Sequence, residues 1–195
     1  MCYNILVNEK RISAMWENKD IKKILISEDQ IKTRSAELGR QITEDYKDCE
    51  EPLLLVALLR GSVPFLAELM KHIDLDIQVD FMDVSSYQGT KSTDIRIIKD
   101  LDTSIQGMNI LLVEDIIDTG KTIKEVVKTL KHKGANSVKI VALLNKPEGR
   151  VVDVNADYNG FEIENEFVVG YGLDFNQRYR CLPYVGVLKE ECYQN

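Results

Sequence analysis

Histidine is nearly missing from this sequence: His72 and His132 are its only imidazoles. Metal centres built on imidazole, and Ser-His-Asp or Cys-His nucleophilic catalysis, therefore have little material to work with. The four cysteines, Cys2, Cys49, Cys181 and Cys192, stand far apart without the paired spacing of a zinc site or a redox motif, and read as reduced thiols. Residues Met1 to Asp20 mix charges with short apolar stretches and lack the continuous apolar segment of a signal peptide or membrane helix. The expected compartment is the cytoplasm, with no membrane partner. Positive charge is in deficit: 25 Lys and Arg against 32 Asp and Glu leave a formal net charge of -7. That balance repels a nucleic-acid backbone, although an acidic protein can still hold a small polyanion in a local positive pocket. Repeats, low-complexity segments and linkers are absent as well. Residues 21–195 are expected to form one domain, with residues 1–20 as an extension of unassigned role.

What is present suffices for one hydrophobic core, since 44% of the 195 residues are apolar. Ile24 to Ile26 suits a short strand, after which Ser27 and Gln30 have the spacing of a capping box. Ile31, Leu38, Ile42 and Tyr46 follow near the helical period. Leu53 to Leu59 is a continuous apolar run bounded by Arg60-Gly61-Ser62, as in a strand covered on both faces of a parallel sheet. Ser62 and Pro64 can open the next helix. A strand in Ile77 to Val84, the polar stretch Ser85 to Thr93 and a strand near Ile95 to Ile98 read as a hairpin with a long tip. Asn109 to Val113 is another strand, and Ile123, Val126, Val127 and Leu130 form a helical stripe ended by Gly134. Val138 to Leu144 completes a strand, helix, strand unit, which implies a right-handed crossover in a parallel sheet. Shorter strands are expected at Phe167 to Val169 and Tyr184 to Leu188.

The chemistry concentrates in Val113-Glu114-Asp115-Ile116-Ile117-Asp118-Thr119-Gly120-Lys121-Thr122. Ligands of parallel α/β sheets bind at the carboxyl ends of the strands, where these residues lie. Backbone N–H groups from Asp118 to Thr122, the Thr119 and Thr122 hydroxyls and the positive end of the helix dipole together make a phosphate cradle. The tail Gly120-Lys121-Thr122 invites comparison with a Walker A loop. That motif needs a glycine five positions earlier, where this chain has Asp115, so the nucleoside-triphosphatase reading fails. Acids there suit a ligand that carries hydroxyls and bound magnesium as well as phosphate. Any one of these residues alone would equally suit a solvated turn or an N-cap. Together they point to a sugar phosphate.

This loop resembles the signature of the type I phosphoribosyltransferases, in the version carried by the hypoxanthine enzymes. Other segments resemble the family in the same order. Leu59-Arg60-Gly61-Ser62 is similar to its pyrophosphate loop, in which the peptide joining the first two residues can be cis. Ser85-Ser86-Tyr87 is similar to its mobile hairpin lid, Lys146-Pro147 to its base-contacting lysine, and Phe167 to Asp174 to its purine hood. The resemblance implies an α/β fold with a mostly parallel central sheet flanked by helices, and a small hood formed mainly by residues 147–190. It also implies transfer of ribose 5-phosphate from phosphoribosyl pyrophosphate to N9 of hypoxanthine or guanine, with Mg2+ as cofactor and a homo-oligomer, dimer or tetramer, as the assembly.

Roles follow residue by residue from the same resemblance. Glu114, Asp115, Ile116, Ile117, Asp118, Thr119, Gly120, Lys121 and Thr122 take the ribose phosphate, with Asp118 also the catalytic base or acid at purine N7. Arg60, Gly61 and Arg180 take pyrophosphate. Lys146, Phe167, Val168 and Asp174 serve the purine, Ser86 and Tyr87 belong to the lid, and Glu114, Asp115 and Asp174 hold the metal. Lys146 as a solvated loop lysine and Phe167 as a core residue are the alternatives their types allow. Two other functions stay open at this point. One is a regulatory protein that senses phosphoribosyl pyrophosphate; the other is a phosphoribosyltransferase for another base, such as xanthine.

Overall fold

The computed structural model describes residues 18–86 and 95–194. Strand β1 (Ile21–Ile26) leads into helix α1 (Glu28–Tyr46), which opens on the expected capping box. The Gln30 amide donates to Ser27 Oγ at 3.3 Å, and the Ser27 amide donates to Gln30 Oε1 at 2.9 Å. These bonds satisfy two of the donors that a helix start leaves unpaired. The face carrying Ile31, Leu38, Ile42 and Tyr46 is buried.

Strand β2 (Leu53–Leu58) is buried at every position. Its run is continuous because both faces are covered: Leu53, Leu55 and Ala57 enter the core shared with α1, while Leu54, Val56 and Leu58 enter the core on the opposite face. Helix α2 (Val63–Leu69) follows with a proline in its first turn. Ser62 does not cap it, contrary to the sequence reading. Its buried hydroxyl instead donates to the Leu58 carbonyl, which ties the loop back onto β2.

Strands β3 (Ile77–Ser86) and β4 (Ile95–Lys99) are antiparallel and pair Ser86 with Ile95. The expected hairpin is thus present, with β3 two residues longer. Ser86 ends that strand, and Tyr87 lies outside the described residues. Strand β5 (Asn109–Ile117), helix α3 (Lys121–His132) and strand β6 (Ser137–Asn145) form the expected crossover. Ile123, Val126 and Leu130 bury the apolar stripe of α3. At about 2 kcal/mol per buried aliphatic side chain, that stripe holds the helix against the sheet.

The main sheet runs β4-β3-β2-β5-β6-β7, where β7 spans Tyr158–Glu162. Every pairing but β3 with β4 is parallel. Sequence reading missed β7, because Tyr-Asn-Gly-Phe-Glu has no β-branched residue and carries Asn and Gly, both poor strand formers. As an edge strand it is secured from α1: Arg34 donates to the Asn159 carbonyl at 2.7 Å and to the Gly160 carbonyl at 3.1 Å. A second sheet, β1-β9-β8, is the hood, with β8 at Val168–Val169 and β9 at Val185–Leu188. The hood expected mainly from residues 147–190 therefore takes its outer strand from the N-terminal side, and residues 158–162 belong to the main sheet instead.

Candidate active site

The phosphate loop begins later than its sequence suggests. Pairing of Glu114 with Ala142, Ile116 with Leu144 and Ile117 with Asn145 carries β5 four residues past Val113, so Glu114 and Asp115 sit within the strand. Only Asp118, Thr119 and Gly120 then separate β5 from α3. Gly120 has φ 78°, a left-handed conformation that costs a residue with a Cβ roughly 1–2 kcal/mol. As the N-cap it offers α3 no capping side chain, and the Lys121 amide reaches only Thr119 Oγ1 at 3.5 Å, so the helix start has room for an anion. A cavity of about 120 Å3 lies there, with Glu114, Ile117, Asp118, Thr119, Gly120 and Thr122 in its lining.

A second cavity, of about 240 Å3, adjoins it and shares Glu114 and Thr122. Its other walls include Arg60, Gly61, Asp115, Asp174 and Arg180. The Leu59–Arg60 peptide in its rim is cis. A Cβ at Gly61 would stand 1.5 Å from Asp115 Oδ2, so glycine alone lets this loop lie against the Asp115 side chain of β5. Arg180 Nη2 pairs with Asp174 Oδ1 at 2.7 Å, and its Nη1 donates to the Gly172 carbonyl at 2.6 Å. Gln177 joins this group: its amide donates to Asp174 Oδ2 at 2.8 Å, and its Oε1 accepts from Arg60 at 3.3 Å and Arg180 at 3.4 Å. Tyr171, Asn176, Gln177 and Tyr179 all have φ between 49° and 74°. Such strain gathers where the surrounding structure holds a loop to a task.

Acid accumulates in this cavity. Burial pushes Asp115 up to about 6, with Asp174 adding in the same direction, while the Ile116 amide and Arg180 pull against it. Burial also holds Glu114 well above the usual carboxylate range, and neighbouring Asp115 reinforces it. Half-buried acids that repel one another are receptive to a cation. Among the described residues, no three acids, histidines or cysteines converge into a full protein-built metal site. That donor set fits magnesium, which commonly takes one or two carboxylates and completes its octahedron with water and ligand phosphate oxygens. Glu114 and Asp115 would hold one ion and Asp174 a second.

On the other side of Asp118, Lys146 follows the end of β6, and its amide donates to the Ile117 carbonyl at 3.0 Å. Its side chain is 7% exposed, with Nζ 3.8 Å from Asp118 Oδ2. A buried lysine beside a single carboxylate is no solvated loop lysine. Phe167 is 38% exposed at the entrance to β8 and so is no core residue either. Val168 is buried in the hood beside it. Asp174 lies with Gln177 and Arg180 and is paired to Arg180.

Sequence reading missed Gln177 and, behind the loop after β5, Arg150. Its guanidinium donates to the carbonyls of Asp118 at 3.0 Å, Ile117 at 3.3 Å and Val154, and to Asn145 Oδ1. The Val151 amide adds a bond to the Thr119 carbonyl at 3.1 Å. A trans peptide points its C=O and N–H in opposite directions. Holding the carbonyls of Ile117 and Asp118 on one side therefore turns the Asp118 and Thr119 amides to the other. Only the doubling back of the chain after β6 brings Arg150 there, and no local pattern signals it.

A mostly parallel sheet with acids and a glycine-started helix at its carboxyl edge, accompanied by a small antiparallel sheet, is an α/β architecture suited to a sugar-phosphate transferase. The model of the phosphoribosyl transferase domain matches residues 20–176, and the chain belongs to that family. Within it, the chain is 57% identical over 178 residues to the hypoxanthine-guanine phosphoribosyltransferase of Lactococcus lactis, covering 90% of this chain and 96% of that protein. It is 55% identical over 177 residues to the enzyme of the same name from Streptococcus thermophilus, covering 90% and 97%. A crystal structure of a hypoxanthine phosphoribosyltransferase from Staphylococcus aureus superposes with a TM-score of 0.86 at 48% identity, covering 90% of this chain and 96% of that one.

Proposed function

We propose that this chain transfers the 5-phosphoribosyl group of phosphoribosyl pyrophosphate to N9 of hypoxanthine or guanine, giving IMP or GMP and pyrophosphate in purine salvage. The observation that carries this reading is Lys146, buried 3.8 Å from the Asp118 carboxylate at the end of the phosphate cradle. An ammonium donates to the carbonyl O6 of a 6-oxopurine and has no acceptor for the amino group of adenine.

Each substrate has a matching set of groups. The Asp118 to Thr122 cradle takes the 5-phosphate, and Glu114 and Asp115 accept from the ribose hydroxyls. Arg60, Gly61 and Arg180 take the pyrophosphate. When bound, magnesium neutralises the departing charge. Phe167 stacks on the base, and the Val168 backbone reads its edge. As the C1′–oxygen bond to pyrophosphate breaks and the C1′–N9 bond forms, Asp118 accepts the proton that the purine sheds at N7. Positioning and charge stabilisation supply most of the rate in such a transfer. Among the described residues no helix is long and apolar enough to cross a membrane. A cytoplasmic homo-oligomer, dimer or tetramer, is part of the proposal.

A spectrophotometric assay with phosphoribosyl pyrophosphate, magnesium and each of hypoxanthine, guanine and xanthine tests the reading. Product is expected with hypoxanthine and guanine. Failure with every 6-oxopurine would leave the sensor as the better account, and exclusive use of xanthine would move the base assignment.

A further inference from the structure

An aromatic ring has two faces, and in Phe167 one of them is taken. Tyr193 lies parallel to it, with ring centroids 4.6 Å apart and planes 18° apart. Phe175 meets the same ring edge-on, at 5.6 Å and 88°. Both contacts have the geometry aromatic pairs prefer. The placement of Tyr193 is built by the backbone. The Leu188 amide donates to the Phe167 carbonyl at 2.9 Å, which fixes the end of β9 beside Phe167. The Lys189 amide then bonds the Asp20 carbonyl at 2.9 Å. A single 3-10 turn, Glu190–Cys192, closed by the Cys192 amide on the Lys189 carbonyl at 3.0 Å and the Tyr193 amide on the Glu190 carbonyl at 3.1 Å, swings Tyr193 back over the ring. Tyr193 also packs on the small core of the hood formed by Tyr179, Leu182 and Leu188.

We infer that Tyr193 is a positioning residue for the purine: it braces one face of Phe167 so that the other is held ready to stack on the base. The inference rests on the proposed function, since it assigns the open face of Phe167 to that substrate. Phe167 sits at the rim of the hood, still partly exposed, where an unbraced ring would sample several rotamers and lose them on binding. Held on one face by Tyr193 and touched by Phe175 in an edge-type contact, it has that cost met before the base arrives.

Tyr193→Ala and Tyr193→Phe, compared with the unaltered enzyme, test it through separate Michaelis constants for the two substrates. Tyr193→Ala is expected to raise KM for hypoxanthine by roughly three- to tenfold, the range of one aromatic stack. KM for phosphoribosyl pyrophosphate should stay within about twofold, since the phosphate loop is untouched. Tyr193→Phe keeps the ring and should behave as the unaltered enzyme. An unchanged KM for hypoxanthine in Tyr193→Ala, or an equal rise for both substrates, would overturn the brace. A fall in that KM would overturn it too, by showing that Tyr193 stands in the place of the base. Inactivity of the unaltered protein with all 6-oxopurines would sink the functional reading instead, before any variant is compared.

Discussion

Replacing Arg150 by methionine should loosen the phosphate loop without emptying the space beneath it. Methionine keeps an unbranched stem of similar length, so the contact under Gly120 persists while the guanidinium is lost. Three carbonyls and Asn145 Oδ1 lose a charged donor. The Ile117 carbonyl keeps the Lys146 amide at 3.0 Å, so its loss is partial, whereas Asp118 and Val154 lose more. At about 1–1.5 kcal/mol for each partner removed, with Ile117 counted in part, the expected destabilisation is about 3–5 kcal/mol, read from urea unfolding. The functional consequence is separate. Without the clamp, the Asp118 and Thr119 amides are no longer fixed toward the cradle, and ordering them on binding should raise KM for phosphoribosyl pyrophosphate by roughly 10- to 100-fold. KM for hypoxanthine should move far less. If the variant is destabilised as expected but its KM for phosphoribosyl pyrophosphate is unchanged, Arg150 supports the fold and does not organise the loop.

Asp118→Asn keeps the size and removes the proton acceptor, and is expected to lower kcat by roughly 10²- to 10⁴-fold; unchanged turnover in steady-state assays would refute its role. Lys146→Ala should weaken use of the base far more than binding of phosphoribosyl pyrophosphate, and equal losses in the two Michaelis constants would count against an O6 contact. Asp115 supplies a pH signature, because its folded pKa near 6 lies above the roughly 4 of an unfolded aspartate. Cation binding needs the carboxylate, so kcat/KM for phosphoribosyl pyrophosphate should fall as pH drops through about 6. The unfolded chain ionises this group first, so the stability that Asp115 contributes to the magnesium-free protein should fall as pH rises from about 4 to about 6, in the opposite sense, and melting curves of the protein and of Asp115→Asn compared across that window would show it.

The parts of the fold legible in the sequence are those fixed by neighbouring residues. Ser27 and Gln30 announce α1 because a capping box is closed within four residues. Leu53 to Leu58 announces a central strand because only burial on both faces permits so long an apolar run. The loop from β5 into α3 was legible for the same reason, since its acids, hydroxyls and glycine follow one another along the chain. What the sequence concealed depends on distant partners. Glu114 and Asp115 look like the end of a strand until β6 pairs alongside and carries β5 onward. Tyr158 to Glu162 is a strand because β6 and Arg34 receive its backbone, and its own side chains do not advertise it. Arg150, Gln177 and Tyr193 reach the site only through tertiary folding, and each acts on another residue's geometry.

A crystal structure of the protein with IMP, pyrophosphate and magnesium bears most directly on the two-substrate site. The expected complex has the 5-phosphate on the Asp118 to Thr122 amides and O6 within hydrogen-bond reach of Lys146 Nζ. The purine should lie on the face of Phe167 opposite Tyr193, with pyrophosphate between Arg60 and Arg180. A base bound away from Lys146, or a phosphate seated anywhere but that cradle, would contradict the account.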